Sequence, residues 1–86
     1  MARYKLEFAT SIRKDLKKIA KKEVQRILTS IEKLAEEPRP SGSKKLTNEE
    51  LYRIRIGNYR VIYEVHDDRL IVLIVKAGHR KDIYRK

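Results

Sequence analysis

The 86-residue chain is long enough for one small domain, expected to span residues 1–86, and too short for two. Its 22 Lys and Arg residues against 12 Asp and Glu residues give a net charge of +10, which favours a polyanionic partner such as nucleic acid, an acidic protein or an anionic membrane. With no Cys and only two His, the sequence excludes disulfides and argues against a metal site. No apolar run approaches the length of about 18 residues that a membrane-spanning helix needs, and no signal-peptide pattern is present. We therefore expect a soluble, cytoplasmic protein with no membrane segment.

The first half of the chain predicts one strand and two helices. Tyr4 to Phe8 alternate between apolar and polar residues, as in a half-buried strand. Thr10 or Ser11 offers an N-cap for a first helix. The apolar stripe of this helix comprises Ile12, Leu16, Ile19 and Ala20. A second stripe comprises Val24, Ile27, Leu28, Ile31, Leu34 and Ala35. The second helix has to end before Pro38. A helical hairpin is expected, because a single rod could not bury both stripes on one small sheet.

The stretch from Leu51 to Val65 predicts a β-hairpin. Its turn is Gly57-Asn58, and a Gly-first two-residue loop is typical of a type II′ turn because Gly accepts the positive φ of the first position. This turn fixes the pairing of Ile56 with Tyr59, Arg55 with Arg60, Ile54 with Val61 and Arg53 with Ile62. The preceding segment, residues 38–45, has the composition of a loop.

A last strand follows the hairpin. His66 to Asp68 predict a turn, and Leu70 to Val75 are six consecutive apolar residues, as expected of a central strand buried on both faces. A two-residue turn at Asp67-Asp68 would place Arg60 opposite Val75, and Gly78 would end the strand. The order β-α-α-β-β-β predicts an α+β domain, in which a two-helix hairpin packs on one face of a mostly antiparallel four-stranded sheet.

The two faces of the hairpin differ in chemistry, because side chains alternate between the faces of a strand. The apolar face, expected to meet the core, carries Tyr52, Ile54, Ile56, Tyr59, Val61, Tyr63 and Val65. The other face carries Arg53, Arg55 and Arg60, and the last two are directly opposite each other. Like charges in that position are unfavourable, so the arrangement favours an anion between them, and guanidinium groups fork onto phosphate. The alternative interpretation is an ordinary solvated face.

Residues of the tail are expected at the same end of the hairpin. Arg80 and Tyr84 complete a set suited to RNA, since Arg neutralises phosphate and Tyr stacks on an unpaired base. His79 is a candidate proton-transfer group, because imidazole titrates near neutrality. The Lys residues of the helices and tail form a solvated surface that also attracts RNA without sequence preference. These candidates are Lys14, Lys17, Lys18, Lys21, Lys22, Lys76 and Lys81.

Over essentially its whole length the chain resembles the RelE branch of the RelE/ParE toxin superfamily. The resemblance is carried by YKLEFATSIRKDLKKI, by LAEEPRP, by the hairpin LYRIRIGNYRVIYEV and by the tail GHRKDIYRK. It implies a toxin of a type II toxin–antitoxin pair that enters the A site of the small ribosomal subunit and cleaves mRNA there, inhibiting translation. Cleavage would proceed by 2′-hydroxyl attack, without a metal or cofactor. The resemblance also implies a cognate antitoxin, acidic or with an acidic segment, as partner.

The resemblance implies a role for each residue that matches the family's basic and aromatic positions. Arg53 and Arg55 match two residues that support the 2′-hydroxyl attack, and Arg60 matches the residue that holds the scissile phosphate. Arg80 matches a residue proposed to assist the leaving group, and Tyr84 matches the aromatic that orients the base.

One departure concerns the general base. The best-known members carry Lys where this chain has Arg53 and Arg55, and Arg effectively cannot lose its proton. Either the Arg pair acts only by stabilising charge, or His79 or a water takes the proton. Two other functions stay open: a ParE-like toxin that inhibits a DNA topoisomerase by binding, and a non-catalytic RNA-binding module. In the ParE branch the basic cluster is usually incomplete.

Overall fold

A computed structural model describes residues 3–46 and 51–79. Its elements are β1 (Lys5–Phe8), α1 (Ile12–Lys17), α2 (Lys21–Lys33), β2 (Lys44–Lys45), β3 (Leu51–Ile56), β4 (Tyr59–His66) and β5 (Ile71–His79). The strands form one sheet in the order β1-β5-β4-β3-β2. β1 is parallel to β5, and the other neighbouring strands are antiparallel. No helix within the described ranges is long and apolar enough to cross a membrane.

The predicted α+β class and the mostly antiparallel sheet are confirmed, but the predicted number of four strands is wrong. The end of the segment assigned to a loop forms β2, in which Lys44 pairs with Arg53 and Lys45 with Tyr52. This short strand extends the sheet at its β3 edge. Two residues are too few to show an alternating pattern, so the sequence carries no strand signal there.

Two separate helices pack on one face of the sheet, as predicted. Ser11 precedes α1, although its side chain makes no capping hydrogen bond, and α2 ends at the C-cap Leu34, before Pro38. The core lies between these helices and the sheet. Its least exposed members are Ile27, Ile31, Leu34, Val61, Tyr63, Val65, Val72 and Ile74. Of the first predicted stripe, Ile12 and Ile19 also belong to this core, whereas α1 ends at Lys17 and Ala20 is exposed.

The β3–β4 hairpin has the predicted register at all four residue pairs, including Arg55 opposite Arg60. Gly57 has φ +62°, and among the described non-glycine residues only Leu70 has a positive φ. Positive φ at the first turn position and not at Asn58 is the signature of a type II′ turn. The turn sequence thus determines which side chains meet across these two strands.

The predicted connection between β4 and β5 is wrong. β4 ends at His66 and β5 begins at Ile71, so the loop has four residues, and Leu70 leaves the strand to adopt φ +55°. A β-bulge then shifts the register between Ile62 and Tyr63. Together the longer loop and the bulge place Gly78, not Val75, opposite Arg60.

β5 differs from its prediction in two further respects. Gly78 lies inside the strand and does not end it, because β5 continues to His79. The strand is interior, between β1 and β4, as expected. However, only one of its faces is fully buried: Val72 and Ile74 are buried, whereas Leu73 on the other face is half-buried.

Arg39 ties three segments together at the end of the sheet opposite the β3–β4 turn. Its Nη1 and Nη2 donate to Oδ1 and Oδ2 of Asp67 at 3.2 and 2.8 Å, and its Nε donates to the Tyr52 hydroxyl at 2.8 Å. The Tyr4 hydroxyl also donates to Asp67. These hydrogen bonds, from Arg39 first and Tyr4 second, lower the pKa of Asp67 to about 2. The carboxylate is therefore held ionised in the folded protein.

Candidate functional site

The face of the sheet away from the helices carries the cationic side chains. Ile54, Ile56 and Val61 belong to the core, so the residues that alternate with them point to the opposite face. Strand pairing arranges these residues in two rows that run across the sheet. The row nearest the β3–β4 turn is Arg55, Arg60 and Gly78. The next row is Lys44, Arg53, Ile62 and Lys76. We call this surface the arginine face.

The β-bulge decides which β5 residues belong to the arginine face. Before the bulge, Tyr63 pairs with Ile74 on the core side, and after it Ile62 pairs with Lys76. A one-residue change of register exchanges the two faces of a strand. The bulge therefore directs Lys76 onto the arginine face and leaves Ala77 in the core.

Arg55 and Arg60 form a closely spaced cross-strand pair. The N–H of Ala77 donates to Oδ2 of Asp15 at 3.2 Å, so this amide points away from β4. Successive backbone N–H groups of a strand point to opposite sides. The N–H of Gly78 therefore points towards β4, where its partner is Arg60. The backbone N–H and C=O groups of Arg60 point towards β5 and away from β3. Arg55 and Arg60 are therefore a non-hydrogen-bonded pair, and the Cα atoms of such a pair lie only about 4.5 Å apart.

The three Arg residues differ in exposure. Arg53 and Arg60 are 9% and 7% exposed and are the two buried charged residues in the described part of the chain, whereas Arg55 is exposed. A buried charge is costly, and Arg cannot relieve the cost by losing its proton. Arg53 and Arg60 are therefore packed side chains rather than solvated ones. Fixed positive charge in partly dehydrated surroundings is suited to binding and stabilising a phosphate.

A cavity of about 360 Å³ adjoins the arginine face on the β3 side. It is lined by Arg53 and Arg55 together with Ser41 and Gly42 from the segment before β2. Gly42 has φ +96°, and apart from its chain neighbours no described residue has a heavy atom within 4 Å of the place where a Cβ would be. A ligand on the arginine face therefore has open space beside it at this edge.

The structure brings some predicted site residues together and separates others. Arg53, Arg55, Arg60 and Lys76 share the arginine face. His79 does not, because it pairs with Tyr59 on the helix side of the sheet, where the two rings meet edge to face at 5.7 Å between centroids.

The remaining predicted residues form two groups. The Lys residues at positions 14, 17, 18, 21 and 22 are exposed along α1, the following turn and the start of α2. Arg80, Lys81 and Tyr84 lie outside the described residues.

Two residues near the site were not singled out from the sequence. Asp15 accepts a hydrogen bond from the backbone N–H of Ala77. The sequence feature that could have identified it is its place in α1, three positions after the core residue Ile12. Arg26 reaches from α2 to the hairpin turn, where its Nη1 and Nη2 lie 3.7 Å from the place of a Cβ on Gly57. No sequence pattern connects Arg26 with that turn.

Comparison with known proteins defines the class. The family model described as the ParE toxin of type II toxin–antitoxin systems, parDE, matches residues 6–84. This match covers nearly the whole of the described fold, including the helices, the hairpin and β5. The chain is therefore a toxin of the type II toxin–antitoxin class.

Individual relatives identify the family within this class. Toxin RelG of Mycobacterium tuberculosis is 34% identical over 90 residues, which cover 96% of this chain and 98% of RelG. RelE in the archaeal RelE–RelB complex of Pyrococcus horikoshii superposes with a TM-score of 0.81 at 32% identity, over 93% of this chain and 97% of that chain. The RelB–RelE complex of Methanococcus jannaschii gives a TM-score of 0.71 at 32% identity, over 91% and 94%. The chain belongs to the RelE family, as the sequence resemblance predicted.

Proposed function

We propose that this toxin is a ribosome-dependent endoribonuclease that cleaves mRNA in the A site and so inhibits translation in the cytoplasm. Membership of the RelE family supports this function, and the arginine face is the observation that carries it. Arg53 and Arg60 are buried cations beside the exposed Arg55, on the face of the sheet that the helices leave uncovered. Such a surface provides a preorganised site for a phosphodiester.

The proposed reaction is the attack of a ribose 2′-oxygen on the adjacent phosphorus, with cleavage of the bond to the 5′-oxygen. The products are a cyclic 2′,3′-phosphate and a 5′-hydroxyl. Arg60 binds the scissile phosphate, while Arg53 and Arg55 stabilise the negative charge that develops on the attacking side. Because Arg does not give up its proton and His79 lies on the other face, one water accepts the proton of the 2′-hydroxyl and another supplies the proton of the departing 5′-oxygen. Arg80 and Tyr84 retain the roles that the resemblance gives them, at the leaving group and the base.

An acidic antitoxin is the proposed partner. The related structures from Pyrococcus horikoshii and Methanococcus jannaschii are complexes of RelE with RelB. Binding of an acidic segment on the arginine face would block the site both by charge and by bulk. The net charge of +10 on the toxin fits such a partner.

The test compares one mRNA free in solution with the same mRNA on ribosomes stalled at a known codon. The purified toxin should cut only the ribosome-bound mRNA, within the A-site codon, and leave a cyclic phosphate. Arg60→Gln should lower cleavage by about a hundredfold or more while antitoxin affinity changes only a few-fold. The matched control is Lys5→Gln, which removes the same charge from an exposed position on the edge strand β1 and should cleave like the wild type.

A second candidate is inhibition of a DNA topoisomerase, because the matching family model is described as ParE. Uncut mRNA on and off the ribosome, together with inhibited DNA supercoiling by a topoisomerase, would establish that function instead. If RNA is bound but never cut, and affinity falls in step with each charge removed, the chain is a non-catalytic RNA-binding module.

A further inference from the structure

A second cavity, of about 610 Å³, lies between α1 and the edge of β5. It exists because β1 accompanies β5 only from Ile71 to Ile74. Beyond Ile74, the same edge of β5 continues to His79 beside α1. The volume falls in the ordinary range for small-molecule sites, about 300 to 1,000 Å³.

The lining of this cavity combines three kinds of group. Tyr59 and His79 provide adjacent aromatic rings, 5.7 Å apart between centroids. Lys18, after α1, and Lys76, on β5, also line the cavity, and the side chain of Lys76 is directed to the side of the arginine face. The edge of β5 provides backbone polar groups, one of which, the N–H of Ala77, is held by Asp15. Rings, cations and backbone polar groups together match a nucleotide, whose base stacks and hydrogen-bonds and whose phosphate is anionic.

The cavity and the arginine face share residues of β5. Gly78 lines the cavity and is also the residue opposite Arg60. Neighbouring strands lie about 4.8 Å apart, so the cavity begins one strand away from the proposed phosphate-binding residue. Glycine has no side chain to close the way between them. Lys76 belongs to both places, since it pairs with Ile62 on the arginine face and also lines the cavity.

We propose, on the basis of the endoribonuclease function proposed above, that this cavity is a subsite for a nucleotide adjacent to the cleaved phosphodiester. The base of this nucleotide lies against Tyr59 and His79, and Lys18 and Lys76 bind the phosphate of the nucleotide. His79 thereby contributes to substrate binding rather than to proton transfer. The cleaved RNA strand crosses the edge of the sheet at Gly78.

The experiment uses NMR titration of the full chain with a single-stranded RNA hexamer whose riboses all carry 2′-O-methyl groups, so that no 2′-hydroxyl attack occurs. We expect the ring signals of Tyr59 and His79 and the amide of Ala77 to shift on binding. An abasic hexamer with the same number of phosphates should leave the ring signals in place. The charge is equal in the two probes, so the difference reports the base.

Two double variants test whether Lys18 and Lys76 contribute to RNA binding. Lys18→Gln with Lys76→Gln should raise the Kd of the hexamer about tenfold or more. The control, Lys5→Gln with Arg69→Gln, removes the same charge at the opposite end of the sheet and should change the Kd less than threefold. Four results would each overturn the subsite. In the titration these are shifts confined to the arginine face, equal shifts with the abasic hexamer, or no shift at millimolar RNA. The fourth is an equal effect of the two double variants on the Kd. These results would leave the endoribonuclease function standing if ribosome-bound mRNA is still cut. Absence of that cut would overturn the endoribonuclease function whatever the hexamer does.

Discussion

Replacement of Arg55 by Gln should stabilise the fold while it removes activity. Arg55 and Arg60 are directly opposite and form a non-hydrogen-bonded pair, so their positive groups repel each other. For an assumed guanidinium separation of about 6 Å, the repulsion is roughly 0.7 kcal/mol at the dielectric constant of water and roughly 3 kcal/mol at an effective value near 20. Arg55 is exposed and Arg60 is buried, which places the pair between these limits. We therefore expect Arg55→Gln to raise the free energy of unfolding by about 1 kcal/mol at low salt.

The assay is urea denaturation at low and high salt, with mRNA cleavage on stalled ribosomes measured on the same preparations. The gain in stability should shrink towards 1 M salt, because the Debye length falls to about 3 Å. Cleavage should fall by about a hundredfold or more, as expected for loss of a charge that stabilises the transition state. Lys5→Gln, the control, should change stability by less than about 0.5 kcal/mol. A loss of stability in Arg55→Gln at low salt, or a gain independent of salt, would refute the repulsion between Arg55 and Arg60.

Three other perturbations test the fold that supports the site. Tyr63 is fully buried and donates to the carbonyl of Pro38 at 2.7 Å, so Tyr63→Phe should lower the free energy of unfolding by about 1 to 3 kcal/mol in urea denaturation. Burial raises the pKa of Tyr63 from 10.0 to about 12, so its contribution to wild-type stability is complete below pH 10 and lost as the pH rises to 12, a loss that Tyr63→Phe should not show. The pKa of Asp67 is lowered from 3.8 to about 2 by its hydrogen bonds with Arg39 and Tyr4. Its contribution is therefore complete above about pH 4 and lost as the pH falls to 2, and the stability difference between wild type and Asp67→Asn should shrink over that interval. Gly57→Ala should lower the melting temperature, because φ +62° is strained for Ala by about 1 kcal/mol. An unchanged melting temperature in Gly57→Ala would contradict the assigned turn.

The part of the fold that could be predicted from the sequence is the part governed by local turn chemistry. Gly57-Asn58 fixed a two-residue loop, and every residue pair of the β3–β4 hairpin followed from it. The β4–β5 pairing offered no such constraint. Leu70 to Val75 are uniformly apolar, so several registers bury them equally well, and neither the left-handed Leu70 nor the bulge leaves a periodic signal.

The same bulge determines the face of the sheet on which His79 lies. In the predicted register Val75 faces Arg60, and strict alternation would put His79 on the arginine face as well. The bulge reverses the alternation, and His79 lies instead on the helix side with Tyr59. The Arg residues themselves could be identified from the hairpin pattern. The burial of Arg53 and Arg60 could not, because it depends on packing between segments distant in the sequence.

The most direct test of the proposed chemistry is a single-atom change in the substrate. An mRNA with 2′-deoxyribose at the one nucleotide whose 2′-oxygen would attack is bound to ribosomes with that codon in the A site, and the toxin is added. Attack by the 2′-hydroxyl predicts that the deoxy mRNA stays intact there, while the all-ribose mRNA is cut and ends in a cyclic phosphate. Cleavage of the deoxy mRNA at the same bond would contradict the mechanism assigned to Arg53, Arg55 and Arg60.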